Sequence, residues 1–524
     1  MTAARTKAKA RTAPAAKARP APAAQRRLPL AKAVVAGDAG VSADGTISLA
    51  AALAAIERSA DGPKVGAFFD YDGTLIDGYS AAAYFTDRLR RGEMGAGELV
   101  DTLKMMKKGD LSDAEFAEVI GKGVLDWAGL TEDEMRGLWR RLFAASTGAT
   151  LFPEMWKLVR AHQKKGHTLA IASSATLYQI EPLAAEYGIE HIVCTRARVR
   201  NGKLTGGLVG KPMWGEGKGA GVSAFAKAHG VDLAASFGYA NGNEDIAFLR
   251  SLGHPCAVQP KEALEDAAVL ADWPILRFDR RNRGSPQAMA RTVGAYGAMA
   301  ATFLAGLGFA KATGKTRRAV DFITSVSSDA ALAVLGVDVE VIGEENLWSH
   351  RPCVFIINHQ SKIDMFLMMY LIRRGFTGVA KKEAANTPGF GTFMKMADMA
   401  FIDRTHTGKA IDALKPAVDR LQQGLCVAIA PEGTRSWSPK VGAFKKGAFH
   451  MARQAGVPVV PVVIRNAGEV MGRNDQTMRA GTVQVAVLPP VHVVDWPIEQ
   501  MDERVAAVRQ QFVDTLENWP EASK

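Results

Sequence analysis

Apolar runs of strand length alternate with helix-period segments along most of this 524-residue chain, and several of those runs end in a compact polar signature. Val65 to Asp70 ends in the acidic DYDGT, Thr168 to Ala172 in Ser173-Ser174, and Ser236 to Ala240 in Asn241. Continuously apolar strands separated by helices predict parallel sheets covered on both faces, with ligands gathered at the strands' carboxyl ends. A second set of runs, near Val337–Ile342, Cys353–Ile357, Cys426–Ala430 and Val457–Ile464, repeats the pattern with different chemistry. Residues 46–58 read as a short amphipathic helix. Residues 81–150 read as a charged helical block, with capping signatures Ser112…Glu115 and Thr131…Glu134.

Charge is unevenly spread. Of the net +11, eight cations (Arg5, Lys7, Lys9, Arg11, Lys17, Arg19, Arg26, Arg27) fall in residues 1–30, which hold no acid. This Ala- and Pro-rich stretch lacks apolar periodicity, so residues 1–45 are expected to be a disordered basic tail. Its attraction to anionic lipid and to nucleic acid is of the same Coulombic kind. Without interleaved aromatics or a nucleic-acid fold after it, a specific nucleic-acid partner is not expected. The four widely spaced cysteines suit a reducing compartment and form no metal-ligand pattern, and no secretory signal core follows the basic start. From Thr292 to Ala310 nineteen residues carry no charge, flanked by Arg280, Arg281, Arg283 and Arg291 and by Lys311, Lys315, Arg317 and Arg318. Such a segment is expected to rest on an anionic leaflet rather than to span it.

In Phe69-Asp70-Tyr71-Asp72-Gly73-Thr74-Leu75, two carboxylates at i and i+2 of an extended chain face the same way. One can attack phosphorus while the other handles the leaving group's proton. Gly73 lets backbone amides approach a phosphate. An isolated D-x-D is most often a surface turn. This one resembles the first motif of the haloacid dehalogenase superfamily, in its phosphoserine-phosphatase-like branch, and later motifs follow in order: Ser173, Lys218 in GEGKG, and Asp245 in YANGNEDIAFL. The resemblance covers residues 64–278, with 81–150 as helical cap. It implies Asp70 as nucleophile, Asp72 as general acid then base, and Ser173 (or Ser174) and Lys218 as phosphate ligands. Mg2+ would be held by Asp70, the Asp72 carbonyl, Asn241 and Asp245. One position departs: Asn241 stands where the family usually offers an aspartate, which removes one negative charge from the metal site.

Directly after Val354-Phe-Ile-Ile357 comes Asn358-His359-Gln360-Ser361-Lys362-Ile363-Asp364. The H-x4-D spacing is too long for one helical face, so a turn into a helix must bring imidazole and carboxylate together. An aspartate on one ring nitrogen raises basicity at the other. No G-x-S-x-G nucleophile is present, so direct acyl transfer to a hydroxyl is the simpler chemistry. NHQSKID resembles the first motif of the phospholipid/glycerol acyltransferase family, which contains the 1-acylglycerol-3-phosphate acyltransferases. Phe401-Ile402-Asp403-Arg404, Pro431-Glu432-Gly433-Thr434-Arg435-Ser436 and Val457-Pro-Val-Val-Pro461-Val462 resemble its later motifs. The resemblance implies His359 as base, Asp364 as its orienter, and Arg404 and Arg435 as acceptor-phosphate ligands. Glu432 and Gly433 would shape the third-motif turn, Glu432 also reaching the acceptor, with Thr434 and Lys382 as further candidates.

The expected architecture is therefore α/β: a Rossmann-like haloacid dehalogenase domain with helical cap, then a second α/β acyltransferase domain. A basic linker over 279–320 would carry the membrane-associated segment 292–310, and the acyltransferase domain would occupy 321–500. The expected function is a lysophosphatidate acyltransferase making phosphatidic acid, fused to a Mg-dependent phosphomonoesterase. Its substrates would be a lysophospholipid and an acyl thioester (acyl-CoA or acyl-carrier-protein). Its place would be the cytoplasm, peripheral or monotopic at the inner face of the cell membrane. The alternative is an acyltransferase fused to a catalytically degenerate phosphate-binding domain.

Overall fold

A computed structural model describes residues 42, 44–95, 97, 111–278, 285–381, 385–386, 390–402 and 414–521. Residues 1–41 and 43 of the expected basic tail, Lys382 and Arg404 lie outside these residues.

The first domain is built on six parallel strands: β1 (Val65–Phe69), β2 (Thr168–Thr176), β3 (His191–Thr195), β6 (Asp232–Ala240), β7 (His254–Val258) and β8 (Ile275–Leu276). Their order is β3-β2-β1-β6-β7-β8. Chain order reverses between β1 and β6, which opens a crevice at the carboxyl end of β1. β1 reads VGAFF and is buried throughout, as a strand covered on both faces must be. One face packs on helices Leu49–Glu57, Pro153–Lys164 and Leu177–Tyr187, and the other on Glu216–His229 and Glu262–Leu270. The cap holds helices Ser80–Arg90, Asp113–Leu125 and Glu132–Ala145, and both predicted capping boxes form at the starts of the last two. An antiparallel hairpin, β4 (Ala197–Arg200) with β5 (Lys203–Leu208), joins the cap by burying Leu204 among its aromatics. The cap thus extends beyond the expected 81–150, and β2 runs past the expected Ala172 to Thr176 through a register shift after Ser173.

The second domain carries seven strands: β9 (Val337–Ile342), β10 (Val354–Ile357), β11 (Phe376–Lys381), β12 (Ala400–Ile402), β13 (Cys426–Ile429), β14 (Val459–Ile464) and β15 (Gly481–Val487). The order is β12-β11-β13-β10-β14-β15-β9, parallel except for the β14–β15 pair. The carboxyl-terminal helix Met501–Glu517 packs Val505, Val508 and Phe512 into this core, so the domain continues past residue 500.

The linker expectation needs a larger correction. Residues 286–291 are already helical: Ser285 caps, with Pro286 in the first turn of, a helix running to Thr313. It packs against a second helix, Thr316–Leu335, closely enough that a Cβ on Gly306 would come within 2.3 Å of Ile323. Ala295, Ala331 and Leu335 anchor this hairpin in the core of the second domain, and the Met478 amide donates to Thr292. The first helix is long and apolar enough to cross a membrane by length and composition, with 17% of its most apolar window buried. Met289, Val293, Tyr296, Leu304 and Phe309 are exposed on it, and Phe322, Val326 and Val334 on its partner.

Candidate active sites

At the β1 crevice the chain turns sharply. Gly73 has φ +78°, and a Cβ there would come within 2.1 Å of the Asn241 amide. This close approach brings the β6 end to the DYDGT loop. Lys218, near the start of helix Glu216–His229, reaches back so that its Nζ lies 2.7 Å from Asp70 Oδ1 and 2.6 Å from Asp245 Oδ1. All three groups are buried. Burial alone would depress the Lys218 ammonium, but the Asp245 and Asp70 carboxylates outweigh it and raise its pKa. Burial pushes the Asp70 carboxyl up, opposed by the ammonium and reinforced by Asp245. Two carboxylates thus share one cation. Asp72 accepts from the Ser80 amide at 2.7 Å and the Ser80 hydroxyl at 3.2 Å; burial raises it to about 6. The Thr74 hydroxyl lies 3.4 Å from both Asp70 Oδ2 and Asn241 Oδ1, so these two oxygens face a common point.

Of the two candidate serines, Ser174 lines the cavity above Asp70. Ser173 is fully buried, and its Oγ accepts the Ala175 amide, because strand alternation turns it into the sheet. Among the described residues no three His, Cys, Asp or Glu side chains converge as a metal cluster. The hard oxygens of Asp70, Asn241 and Asp245, with the Asp72 carbonyl, are the donor set that suits magnesium, at lower charge than an all-carboxylate site.

In the second domain the H-x4-D segment leaves β10 and turns into helix Asp364–Ile372. His359 Nδ1 lies 2.7 Å from Asp364 Oδ2, and the Gln360 and Ser361 amides donate to the same oxygen at 2.9 Å. Asp364 is 1% exposed and the His359 side chain 30%, so a buried acid holds an accessible base. Asn358 acts as a side-chain strand, exchanging hydrogen bonds of 2.7 Å with both backbone groups of Ile464 and fixing the segment to β14.

Glu432 Oε1 accepts the His359 amide at 2.8 Å and its Oε2 the Gly442 amide at 2.7 Å, which braces the loop that carries His359. The Ser436 amide donates to the His359 carbonyl at 2.8 Å from the same turn. Gly433 adopts φ +74°, and Lys445 packs where its side chain would stand. Arg435 is half-buried, its guanidinium donating to the Arg473 carbonyl while Arg473 donates to the Arg435 carbonyl. Burial lowers the pKa of Arg435, Arg473 and Lys362, and the Arg435 charge lowers the last two further. Three cations thus crowd together beside His359. Of these three the sequence points only to Arg435; Lys362 lies inside NHQSKID, and Arg473 lies in a loop with no motif signature.

Comparison with known proteins follows this division. Residues 67–250 match the family model for haloacid dehalogenase-like hydrolases, and residues 338–465 that for acyltransferases. A 1-acyl-sn-glycerol-3-phosphate acyltransferase of Saccharomyces cerevisiae is 36% identical over 186 residues, 35% of this chain and 61% of the relative. The chain thus spans less than two thirds of that relative's length. Among solved structures, a 1-acyl-sn-glycerophosphate acyltransferase from Thermotoga maritima covers 45% of this chain and 98% of its own at 25% identity, TM-score 0.39. A phosphoserine phosphatase in apo form covers 41% of this chain and 94% of its own at 19% identity, TM-score 0.31. By the two family models, the chain joins a haloacid dehalogenase-like region, residues 67–250, to an acyltransferase-like region, residues 338–465.

Proposed function

We propose that the carboxyl-terminal domain acylates 1-acylglycerol-3-phosphate from an acyl-CoA or acyl-carrier-protein thioester, forming phosphatidic acid. The observation that carries this reading is the His359–Asp364 pair beside three crowded cations. Asp364 holds Nδ1, leaving His359 Nε2 to take the acceptor hydroxyl's proton. The oxygen forms its bond to the thioester carbonyl carbon, the carbon–sulfur bond breaks, and the departing thiolate takes the proton back from the imidazolium. Asp364 stabilises that imidazolium. Arg435, with Lys362 and Arg473, would bind the acceptor phosphate, whose negative charge relieves their mutual repulsion. Arg404 remains a candidate for the same role by its motif.

The amino-terminal domain is read as a phosphomonoesterase. An Asp70 oxygen attacks phosphorus, and the alcohol leaves with the proton of Asp72; Asp72 then deprotonates the water that hydrolyses the aspartyl-phosphate. A carboxyl raised to about 6 suits a group that must both give and take a proton near neutrality. Lys218 and Ser174 would hold phosphoryl oxygens. Asp70, Asn241, Asp245 and the Asp72 carbonyl would hold magnesium, which when bound neutralises phosphoryl charge. The exposed apolar residues of the Pro286–Leu335 hairpin, flanked by basic residues, support interfacial attachment to an anionic leaflet.

One assay tests both halves: lysophosphatidate with acyl donor and magnesium, following phosphatidate and released phosphate together, alongside a panel of phosphomonoesters. His359→Ala should stop acylation alone and Asp70→Asn phosphate release alone. Acylation by His359→Ala at the wild-type rate would refute the assigned base. A wild-type chain that releases no phosphate from any ester at millimolar magnesium would mark the first domain as degenerate.

A further inference from the structure

We infer that the phosphatase-like site accepts phosphate monoesters whose alcohol carries a large apolar group, an acyl chain or an aromatic ring, in preference to small polar ones such as phosphoserine. The inference rests on the phosphomonoesterase reading above and adds the substrate class. A cavity of about 330 Å³ extends from Asp70, Asp72 and Lys218 into the cap. Every charged group on its described lining sits at the phosphate end. Asp70, Lys218 and Asp245 are tied together, Asp72 is held by Ser80, and Lys261 lies 3.7 Å from Glu244.

The opposite wall carries no charged side chain among the described residues. Helix Asp113–Leu125 turns Phe116, Val119, Ile120 and Gly123 to the cavity at i, i+3, i+4 and i+7, one apolar helical face. Val124 is the one fully buried residue of this helix, while Phe116, Val119, Ile120 and Gly123 are only part-buried, so the face borders the cavity. A Cβ at Gly123 would meet nothing within 4 Å. Tyr84, Trp127 and Trp139 continue the wall behind it, and Phe116 stacks on Trp214 of the core domain, ring centroids 4.0 Å apart. Ammonium and carboxylate groups placed against this surface would be desolvated without partners, whereas an apolar group would gain from burial there. Phosphate at one end and an alkyl or aryl body at the other fit the polarity of the cavity.

The test uses the full-length His359→Ala chain without acyl donor, so that acylation does not compete. Phosphate release is measured at equal magnesium from a long-chain 1-acylglycerol 3-phosphate below its aggregation threshold, an aryl phosphate, glycerol 3-phosphate and phosphoserine. Both apolar esters should exceed both polar ones in kcat/KM by about 100-fold, the range hydrophobic pockets achieve over several methylenes. Their ratio tells acyl chain from ring. Gly123→Leu, helix-compatible and projecting into the cavity, should lower kcat/KM for the apolar esters by about tenfold. It should leave glycerol 3-phosphate nearly unchanged. Equal or greater turnover of phosphoserine overturns the inference while leaving the phosphatase reading intact. If no ester is hydrolysed, that reading fails, and binding then decides this one. Decylphosphonate binding to Asp70→Asn chain more tightly than phosphoserine, and weakened by added Gly123→Leu, supports it; binding that ignores Gly123→Leu overturns it.

Discussion

The Nδ1 of His359 and the Oδ2 of Asp364 stand 2.7 Å apart, with the carboxylate oxygen also receiving two backbone amides. Those amides fix the carboxylate before any substrate arrives, so the ring orientation is built in. Asp364→Asn should therefore keep the fold while presenting the wrong partner to the ring. Acyl transfer should fall by about 10²–10⁴-fold, mostly in kcat, with phosphate release unchanged. Steady-state kinetics with a saturating thioester would read this, and an Asp364→Asn chain at half the wild-type kcat would remove Asp364 from the mechanism.

Lys218 is the shared ion-pair partner of two buried carboxylates, which makes its removal a stability question as well as a catalytic one. Lys218→Met leaves Asp70 and Asp245 facing each other without a counter-ion. Breaking such a buried arrangement costs on the order of 3–5 kcal/mol. Denaturant unfolding of the first domain should show that loss. Combining Lys218→Met with Asp245→Asn should recover much of the stability without recovering phosphate release.

Acid should weaken the same domain through a different group. His162 is buried, its Nδ1 2.8 Å from His167 Nδ1 and its Nε2 2.9 Å from the Tyr239 hydroxyl. Burial, then the neighbouring His167 and His254, holds its pKa well below the ordinary 6.5. The unfolded chain consequently binds more protons than the folded one below pH 6.5. The stability this histidine confers is complete above 6.5 and lost as pH falls, with a slope approaching 1.4 kcal/mol per pH unit at most. Unfolding free energies between pH 7 and 5 should show the decline, and His162→Gln should flatten it.

Most of the site was legible because its chemistry sits at strand ends, where a short apolar run announces both the strand and the place where its side chains meet a ligand. Asp70, Asp72 and His359 have that origin, whereas Lys218 and Asp364 stand at helix starts and were legible through their motifs. What escaped reading depends on side-chain direction and on contacts distant in sequence. Ser173 and Ser174 differ only by which face of β2 they occupy, and a register shift decides it. Glu432 accepts backbone amides from two separate segments, a bracing role that its motif position does not announce. The hairpin helix began inside an Arg-rich stretch that composition alone marks as linker. Arg473 joined the cation cluster through a loop tied to Ser361 and Lys362 by single hydrogen bonds.

The last such contact couples the two domains. Trp437, two residues after Arg435, packs on Phe143 at 5.6 Å between centroids, and a Cβ on Gly148 would come within 2.7 Å of its indole. Beside it, both the amide and the hydroxyl of Ser438 donate to Glu186, at 3.0 and 2.7 Å. The Arg473 guanidinium stacks over the same indole, 4.0 Å from the centroid. The hydrolase domain therefore holds the turn that carries the proposed acceptor-phosphate cations. Cation–π stacking at a partly desolvated site is worth about 0.5–2 kcal/mol, or roughly two- to thirtyfold in affinity. Trp437→Ala should raise the KM for lysophosphatidate by a factor in that range. Gly148→Leu, made in the other domain, should do the same by displacing the indole, with kcat for acyl transfer little altered. Kinetics of both variants beside the wild-type chain decide the matter: an unchanged acceptor KM in Gly148→Leu would mean the turn holds its shape without the hydrolase domain.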